Sequence, residues 1–402
     1  MSSMSQPSQH EPEHATSRTD GVTPGYMRIA NRLQSLYTGK PQPKPQPKRV
    51  FAPLPEPSQE RLDTSLDDAP IDADKLLNTN HAIPPEKQKT VLYLAYGSNL
   101  CNETFRGVRG IRPLSQVNVL VPSLRLTFDL AGIPYAEPCF ANSALRIPDA
   151  PVSVDSDYHK DRWHKGLVGV VYEVTLSDYA HIIATEGGGS SYHDILIDCY
   201  VLPHADTVPT TPTSRPFKAH TLFAPTKKDD GETRSNERNA RPDPSYAQPS
   251  ARYLKLITDG AAECELPAEY QDYLHDIRPY TITTKKQAMG KALFLSIWYP
   301  IIMMVFSLGR QFQDDKGRSP KWLAALSAMI FKGMWMCYDG VFKPVFGDGE
   351  RTVGDEALPS RVAREAMSAH DAEKEALLED VAVFATSQAS LAKSAKVGWS
   401  DV

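Results

Sequence analysis

A chain of 402 residues has room for two or three domains, and its net charge of −5 and pI near 6.1 give it no global basic footprint for nucleic acid. Its five cysteines, at 101, 139, 199, 264 and 337, are odd in number, scattered and without CxxC spacing, which argues against a disulfide framework or a zinc site and fits a reducing compartment. Apolar content of 41% is low and 33 prolines is high, as in a folded domain with long disordered additions, and Met1 to Glu13 lacks the charged start and apolar run of a secretory signal.

Residues 1–89, rich in Ser, Pro, Gln and charge, read as a disordered N-terminal region. Within it, Lys40 to Arg49 is a basic, extended polyproline-type run, suited to a partner groove, an anionic surface or a solvated spacer. Order is expected from Thr90. Val91 to Tyr96 is apolar, β-branched and aromatic, a buried strand, and Gly97-Ser98-Asn99 breaks it. A short helix over Asn99 to Arg106 would then follow. Consecutive turn N–H groups ahead of a helix make a concavity for an anion, while an ordinary strand-to-helix turn capped by Ser98 and Asn99 is the plainer reading.

Further strands are expected over Val117 to Pro122, Leu124 to Leu130, Phe140 to Ile147 and Gly166 to Val174, the last with glycines where another backbone approaches. Residues 149–165 read as an exposed insertion. Ser177 to Glu186 has a helical stripe of Leu176, Tyr179, Ile182 and Ile183, with Ser177 as its cap and Gly187 as its stop. Tyr192 to Leu202 alternates as a strand, 203–250 is a Pro-rich insertion, and two helices follow from Ser250 and Leu266. Short strands with helices outside predict α+β, a small mixed sheet closed or nearly closed.

This domain spans 90–280. Beyond it, residues 281–346 form an apolar helical region and 347–402 a charged tail. Ala292 to Leu308 carries no charge and is at the short end of what spans a bilayer; Trp322 to Tyr338 is a second apolar stretch carrying Lys332. A membrane hairpin or in-plane pair, extra core helices and a homodimer face all fit.

Glu186 is the candidate catalytic residue. At a helix C-terminus its carboxylate faces the negative end of the dipole, which pushes its pKa up towards that of a general base near neutral pH; a solvated helix-end glutamate is the plain alternative. Ser98 as a hydrolase nucleophile lacks the GxSxG elbow, and His193 and Asp194, adjacent in a strand, point to opposite faces.

Tyr96-Gly-Ser-Asn-Leu100 resembles the signature of the γ-glutamylcyclotransferases. The likeness continues in order through Arg125 to Asp129, Phe140-Ala-Asn142, Gly169 to Val174, Glu186-Gly187, Tyr253 and Leu266 to Leu274. It implies a small mixed β-barrel with flanking helices. The backbone of Tyr93, Leu94, Ala95, Tyr96, Gly97 and Ser98 would hold the α-carboxylate of a small γ-glutamyl substrate. Glu186 would be the acid/base, and Tyr192 and Tyr253 would line the pocket, with no metal or organic cofactor. Asn99 argues against the glutathione-specific branch, whose loop has Leu after Gly-Ser. The insertions and everything after Tyr280 have no counterpart in compact members. The expected enzyme forms 5-oxoproline from a γ-glutamyl amino acid or amide, its catalytic domain cytoplasmic and attached to a membrane through 292–308. A γ-glutamylamine or glutathione-adduct enzyme, or an inactive binding module on a membrane-attached scaffold, are the alternatives.

Overall fold

The computed structural model describes residues 49–72, 76, 90–146, 160, 162–185, 193–223, 241, 243, 246–312 and 320–353. Thr90–Ala95 forms β1, buried from Val91 onward. It pairs antiparallel with β5, Leu167–Thr175, in the register Tyr93↔Tyr172, and β5 pairs in turn with β2, Ser115–Val121. β6, His193–Val201, joins β2 to β7, Pro216–Phe223, and β7 meets β1 at Tyr93↔His220. The order β1-β5-β2-β6-β7 closes on itself as a barrel. Leu94, Val117 and Val171 share one face through their register and are buried together. Gly169 lets β1 and β5 approach, since a Cβ there would lie 2.5 Å from the Ala95 carbonyl. Two longer strands, β3 (Leu124–Ile133) and β4 (Glu137–Leu145), form a separate ribbon with a register shift between Thr127 and Leu130. The chain is thus a mixed α+β protein.

Five expectations need correction. Order does not begin at Thr90. Ser58 caps α1 (Gln59–Thr64) by accepting the Arg61 N–H, a 3-10 turn over Ser65–Asp67 follows, and the segment binds the barrel. Arg61 Nε donates to Thr90 Oγ1 at 2.9 Å, Lys218 N–H to Ser65 Oγ at 2.9 Å, and Ile71 N–H to Asp194 Oδ2 at 2.6 Å; Leu62 and Leu76 enter the core. Polar contacts to strand edges, with few apolar anchors, leave little periodicity to read. Second, β7 lies inside the supposed 203–250 insertion. Third, no α-helix covers Asn99 to Arg106: a 3-10 turn (Ser98–Leu100) and a π-helix (Glu103–Val108) stand there. Fourth, α2, Leu176–Thr185, is capped by Thr175, whose hydroxyl accepts the Asp178 N–H, not by Ser177. The end of the 149–165 insertion is also packed: Lys160 is buried and donates to the Ala247 carbonyl, and Trp163 lies edge-on to Tyr270. The rest of that insertion, residues 1–48 and the tail from 354 lie outside the described residues.

α3 (Ala251–Glu263) is capped by Ser250, which accepts the Tyr253 N–H, and α4 is Ala268–Asp276. The C-terminal region then builds α5 (Lys285–Phe312, with Pro300 inside), α6 (Lys321–Cys337), a π-turn at Tyr338–Phe342 and α7 (Lys343–Phe346). Phe294, Ile302, Met334, Trp335, Tyr338 and Phe342 form a second apolar cluster around Tyr135, the residue at the β3–β4 turn. The expectation of helices here holds; their burial is one-sided. Met289, Leu293, Ile297 and Met304 on α5, and Trp322, Met329 and Met336 on α6, recur at helical spacing and are exposed. All five cysteines are free thiols, four buried and Cys337 half-buried.

Candidate active site

Tyr93, Leu94 and Ala95 are strand residues in the β1–β5 ladder rather than loop. At the end of β1 the chain turns through Tyr96 and Gly97. Leu100 and Cys101 N–H donate to Gly97 O and Ser98 O at 3.0 and 3.2 Å and close the turn. Gly97 has φ −111 and ψ −139, so no left-handed backbone requires glycine here. What its hydrogen leaves is space: a Cβ would stand 3.4 Å from the Tyr253 hydroxyl and 3.5 Å from Ala141 Cβ. Tyr253, carried on the first turn of α3, accepts the Ala141 N–H at 3.1 Å and packs edge-on against Phe140. The fold thus brings together Gly97, Tyr253 and Phe140-Ala141, which are far apart in sequence.

Behind this loop is a buried polar network that sequence reasoning missed. Asn99 Nδ2 donates to the Tyr93 hydroxyl at 2.9 Å, and Tyr93 packs against Tyr179 of α2. The Tyr179 hydroxyl donates to Asp194 Oδ1, and His220 Nδ1 lies 3.0 Å from both Asp194 oxygens. Burial first, then the Asp194 charge, pushes the Tyr179 phenol well up, so it remains a donor. His220 sits in β7, 26 residues from Asp194, and only strand pairing reveals the contact. Tyr96 closes the other side, its hydroxyl donating to Leu222 O at 3.3 Å.

Glu186 and Tyr192 lie outside the described residues. Thr185 ends α2, so Glu186 directly follows that helix in sequence. Glu173, the other carboxylate near this part of the chain, accepts from Ser115 Oγ at 2.8 Å and stands 3.6 Å from Arg61 Nε. It pairs with Leu92, five residues before Gly97, roughly 16 Å away along the strand. The buried thiols Cys101 and Cys264 are poor nucleophiles: burial pushes Cys264 up to about 11 and raises Cys101. Among the described residues no group of three or more His, Cys, Asp and Glu could hold a metal ion. A cavity of about 420 Å³ lined by Glu56, Leu62, Asp63, Val117, Val201 and Arg215 lies under the N-terminal segment and shares no residue with the Gly97 loop.

Comparison with known proteins adds to this geometry. A family model described as the AclK C-terminal domain matches residues 284–345. The chain is 32% identical over 282 residues to gamma-glutamyl cyclotransferase gliK of Aspergillus fumigatus, covering 67% of this chain and 93% of the relative. It is 31% identical over 277 residues to gamma-glutamyl cyclotransferase aclK of Aspergillus oryzae, covering 66% and 92%. A solved structure described as a gamma-glutamyl cyclotransferase is 22% identical, covering 49% of this chain and 93% of that one, with a TM-score of 0.34. At 32% identity across 93% of a curated member, this chain belongs to the gamma-glutamyl cyclotransferase family.

Proposed function

We infer that this chain is a γ-glutamylcyclotransferase that converts a γ-glutamyl amino acid or amide into 5-oxoproline and a free amine. The observation that carries the reading is the near-full-length match to gamma-glutamyl cyclotransferase gliK. The loop geometry supports it: the Gly97 turn stands beside the Tyr253 hydroxyl, and turn N–H groups of this kind suit an α-carboxylate. Once that carboxylate is held, the substrate's own α-amine can fold onto its γ-carbonyl carbon. Attack is intramolecular, and orientation supplies several kcal/mol without a protein nucleophile.

Glu186 is assigned as the acid/base. It takes a proton from the ammonium group and the amine nitrogen bonds to the γ-carbon; that nitrogen gives up a second proton as the amide C–N bond breaks. Both protons pass in turn by way of the same carboxyl group to the leaving nitrogen, which departs as an ammonium group, so protons balance with no external donor. Tyr93, Leu94 and Ala95 position the loop from the strand, Tyr96 and Asn99 fix it through Leu222 and Tyr93, and Tyr253 stands beside Gly97; Tyr192 is assigned to the pocket by the family resemblance alone. Purified protein incubated with γ-glutamyl amino acids, γ-glutamylamines and glutathione adducts, scored for 5-oxoproline, tests the reading and identifies the leaving group. No 5-oxoproline from any compound would overturn it.

The second part of the reading concerns location. Residues 285–309 of α5 are long and apolar enough to cross a membrane by length and composition. We propose that the α5–α6 hairpin attaches the enzyme to a bilayer and leaves the barrel in the cytoplasm. Its support is the exposed apolar side chains of both helices. Basic flanks add to it: Lys285, Lys286, Lys291 and Arg310 occur on or beside α5, with no acidic residue from 281 to 313. Carbonate extraction of the full-length protein, compared with a protein ending at Tyr280, tests it; full-length protein soluble without detergent would sink it.

A further inference from the structure

Tyr135 has φ 63, a left-handed backbone that a bulky side chain adopts only when its surroundings over-determine it. What holds it is the C-terminal region. The ring is fully buried, 5.8 Å from Phe294 and 5.6 Å edge-on from Tyr338. Its hydroxyl lies 2.7 Å from Gly347 O and 3.1 Å from Phe342 O, and its N–H donates to Gly349 O at 2.8 Å. Gly349 lies flat against the ring, where a Cβ would come within 2.9 Å of it.

Two residues later the same turn grips α3. Glu137 is buried; Oε1 accepts from Arg252 Nε at 2.6 Å and Oε2 from Ser250 Oγ at 2.8 Å. Ser250 is the cap that accepts the Tyr253 N–H. Further along β4, the Ala141 N–H donates to the Tyr253 hydroxyl, beside Gly97. The C-terminal region also meets the approach to α3 directly. Gln248 N–H donates to Glu350 O at 2.9 Å, Thr352 N–H donates to Gln248 Oε1 at 2.8 Å, and Tyr280 bridges Ser250.

We propose that the C-terminal helical region is part of the substrate-binding machinery: through Tyr135 and Glu137 it holds Tyr253 against the Gly97 loop, which makes Tyr135 a positioning residue. This rests on the reading of the Gly97–Tyr253 surface as the substrate site. The contacts traced from Tyr135 lead to Tyr253 and the Gly97 loop, so its loss is expected to act on binding.

The test is steady-state kinetics of full-length wild type, Tyr135→Phe and Gly349→Ala on whichever γ-glutamyl compound the wild type cyclises. Tyr135→Phe removes one hydroxyl and keeps the ring; its KM should rise roughly three- to tenfold, the scale of one lost hydrogen bond, with kcat within about twofold. Gly349→Ala, which pushes on the ring, should raise KM further. Hydrogen exchange of the amides at 250–254 should quicken in both variants. Lowered melting temperature with unchanged KM and unchanged exchange at 250–254 would make Tyr135 a structural staple and overturn the proposal. A fall in kcat at constant KM would overturn it too. A wild type that forms no 5-oxoproline overturns the enzymatic reading itself, and that result is visible before any variant is made.

Discussion

The barrel and the C-terminal hairpin are both built from apolar sequence, and they dispose of it in opposite ways. In the barrel Leu92, Leu94, Val170 and Val171 are fully buried, because the closed order of strands leaves each one neighbours on both edges. In the hairpin, Met304 is 50% exposed and Met329 and Met336 are each 65% exposed. Each of these helices buries one side against Tyr135 and its neighbours and leaves the other bare. Apolar composition therefore measures two different things in one chain. In the first region it is the driving force of folding; in the second, much of it remains available to a surface outside the molecule.

The catalytic side of this contrast breaks hardest with Glu186→Gln. The amide cannot take the ammonium proton, so kcat should fall on the order of 10²–10⁴-fold with the melting temperature unchanged. Turnover within a few-fold of wild type would remove Glu186 from the mechanism, and Glu173, held by Ser115 and Arg61, is badly placed to replace it.

Next is Glu137→Ala, where the two regions meet. Arg252 would be left buried without its carboxylate, a loss of about 3–5 kcal/mol by chemical denaturation. A loss below about 1 kcal/mol, typical of exposed pairs, would show that water reaches this ion pair.

A smaller effect should appear with acid. Burial pushes Asp348 up, but the Tyr246 hydroxyl, the Glu350 N–H and Lys343 outweigh it and hold the carboxyl below its usual value. A carboxylate depressed in the folded state stabilises above its unfolded pKa, and that stability is lost as pH falls through the folded one. The C-terminal cluster should therefore loosen below about pH 4. Tryptophan fluorescence monitors this through Trp298 and Trp335, and Asp348→Asn should flatten the response. A variant with the same acid profile as wild type would assign the transition to another group.

The smallest change in stability, within about 0.5 kcal/mol, is expected for Met304→Glu combined with Met329→Glu, because both side chains are exposed. The same pair should release the protein from vesicles of anionic phospholipid in a co-sedimentation assay. Unchanged vesicle binding would mean these two stripes do not face lipid.

How legible all this was depended on where the determining contacts lie. β1 and β5 could be read because both are near-continuous apolar runs ended by glycine or a cap, and α3 because Ser250 announces it. β7 was hidden: it opens on Pro216 amid proline-rich sequence, and its inward set of Phe217, Ala219 and Thr221 alternates with Lys218 and His220 over only eight residues. The N-terminal segment was hidden for another reason, since its hold on the barrel is a handful of hydrogen bonds to groups such as Thr90 and Asp194. The Gly97 turn was visible as a motif. Its partners Tyr253 and Ala141 were visible only through family resemblance, because nothing in their local sequence says that they meet. Tyr135 carried no signal at all, for a tyrosine in a left-handed turn is what local propensity argues against.

The distribution of thiols has a practical consequence. Cys101, Cys139, Cys199 and Cys264 are sealed within the catalytic half, whereas Cys337 ends α6 and is half-buried. A maleimide dye applied to the native protein should react first at Cys337, giving a fluorescent reporter on the hairpin without mutagenesis. Its emission colour would report the polarity around α6 as vesicles or substrate are added, while the four inner thiols would label only on unfolding and so count the denatured fraction.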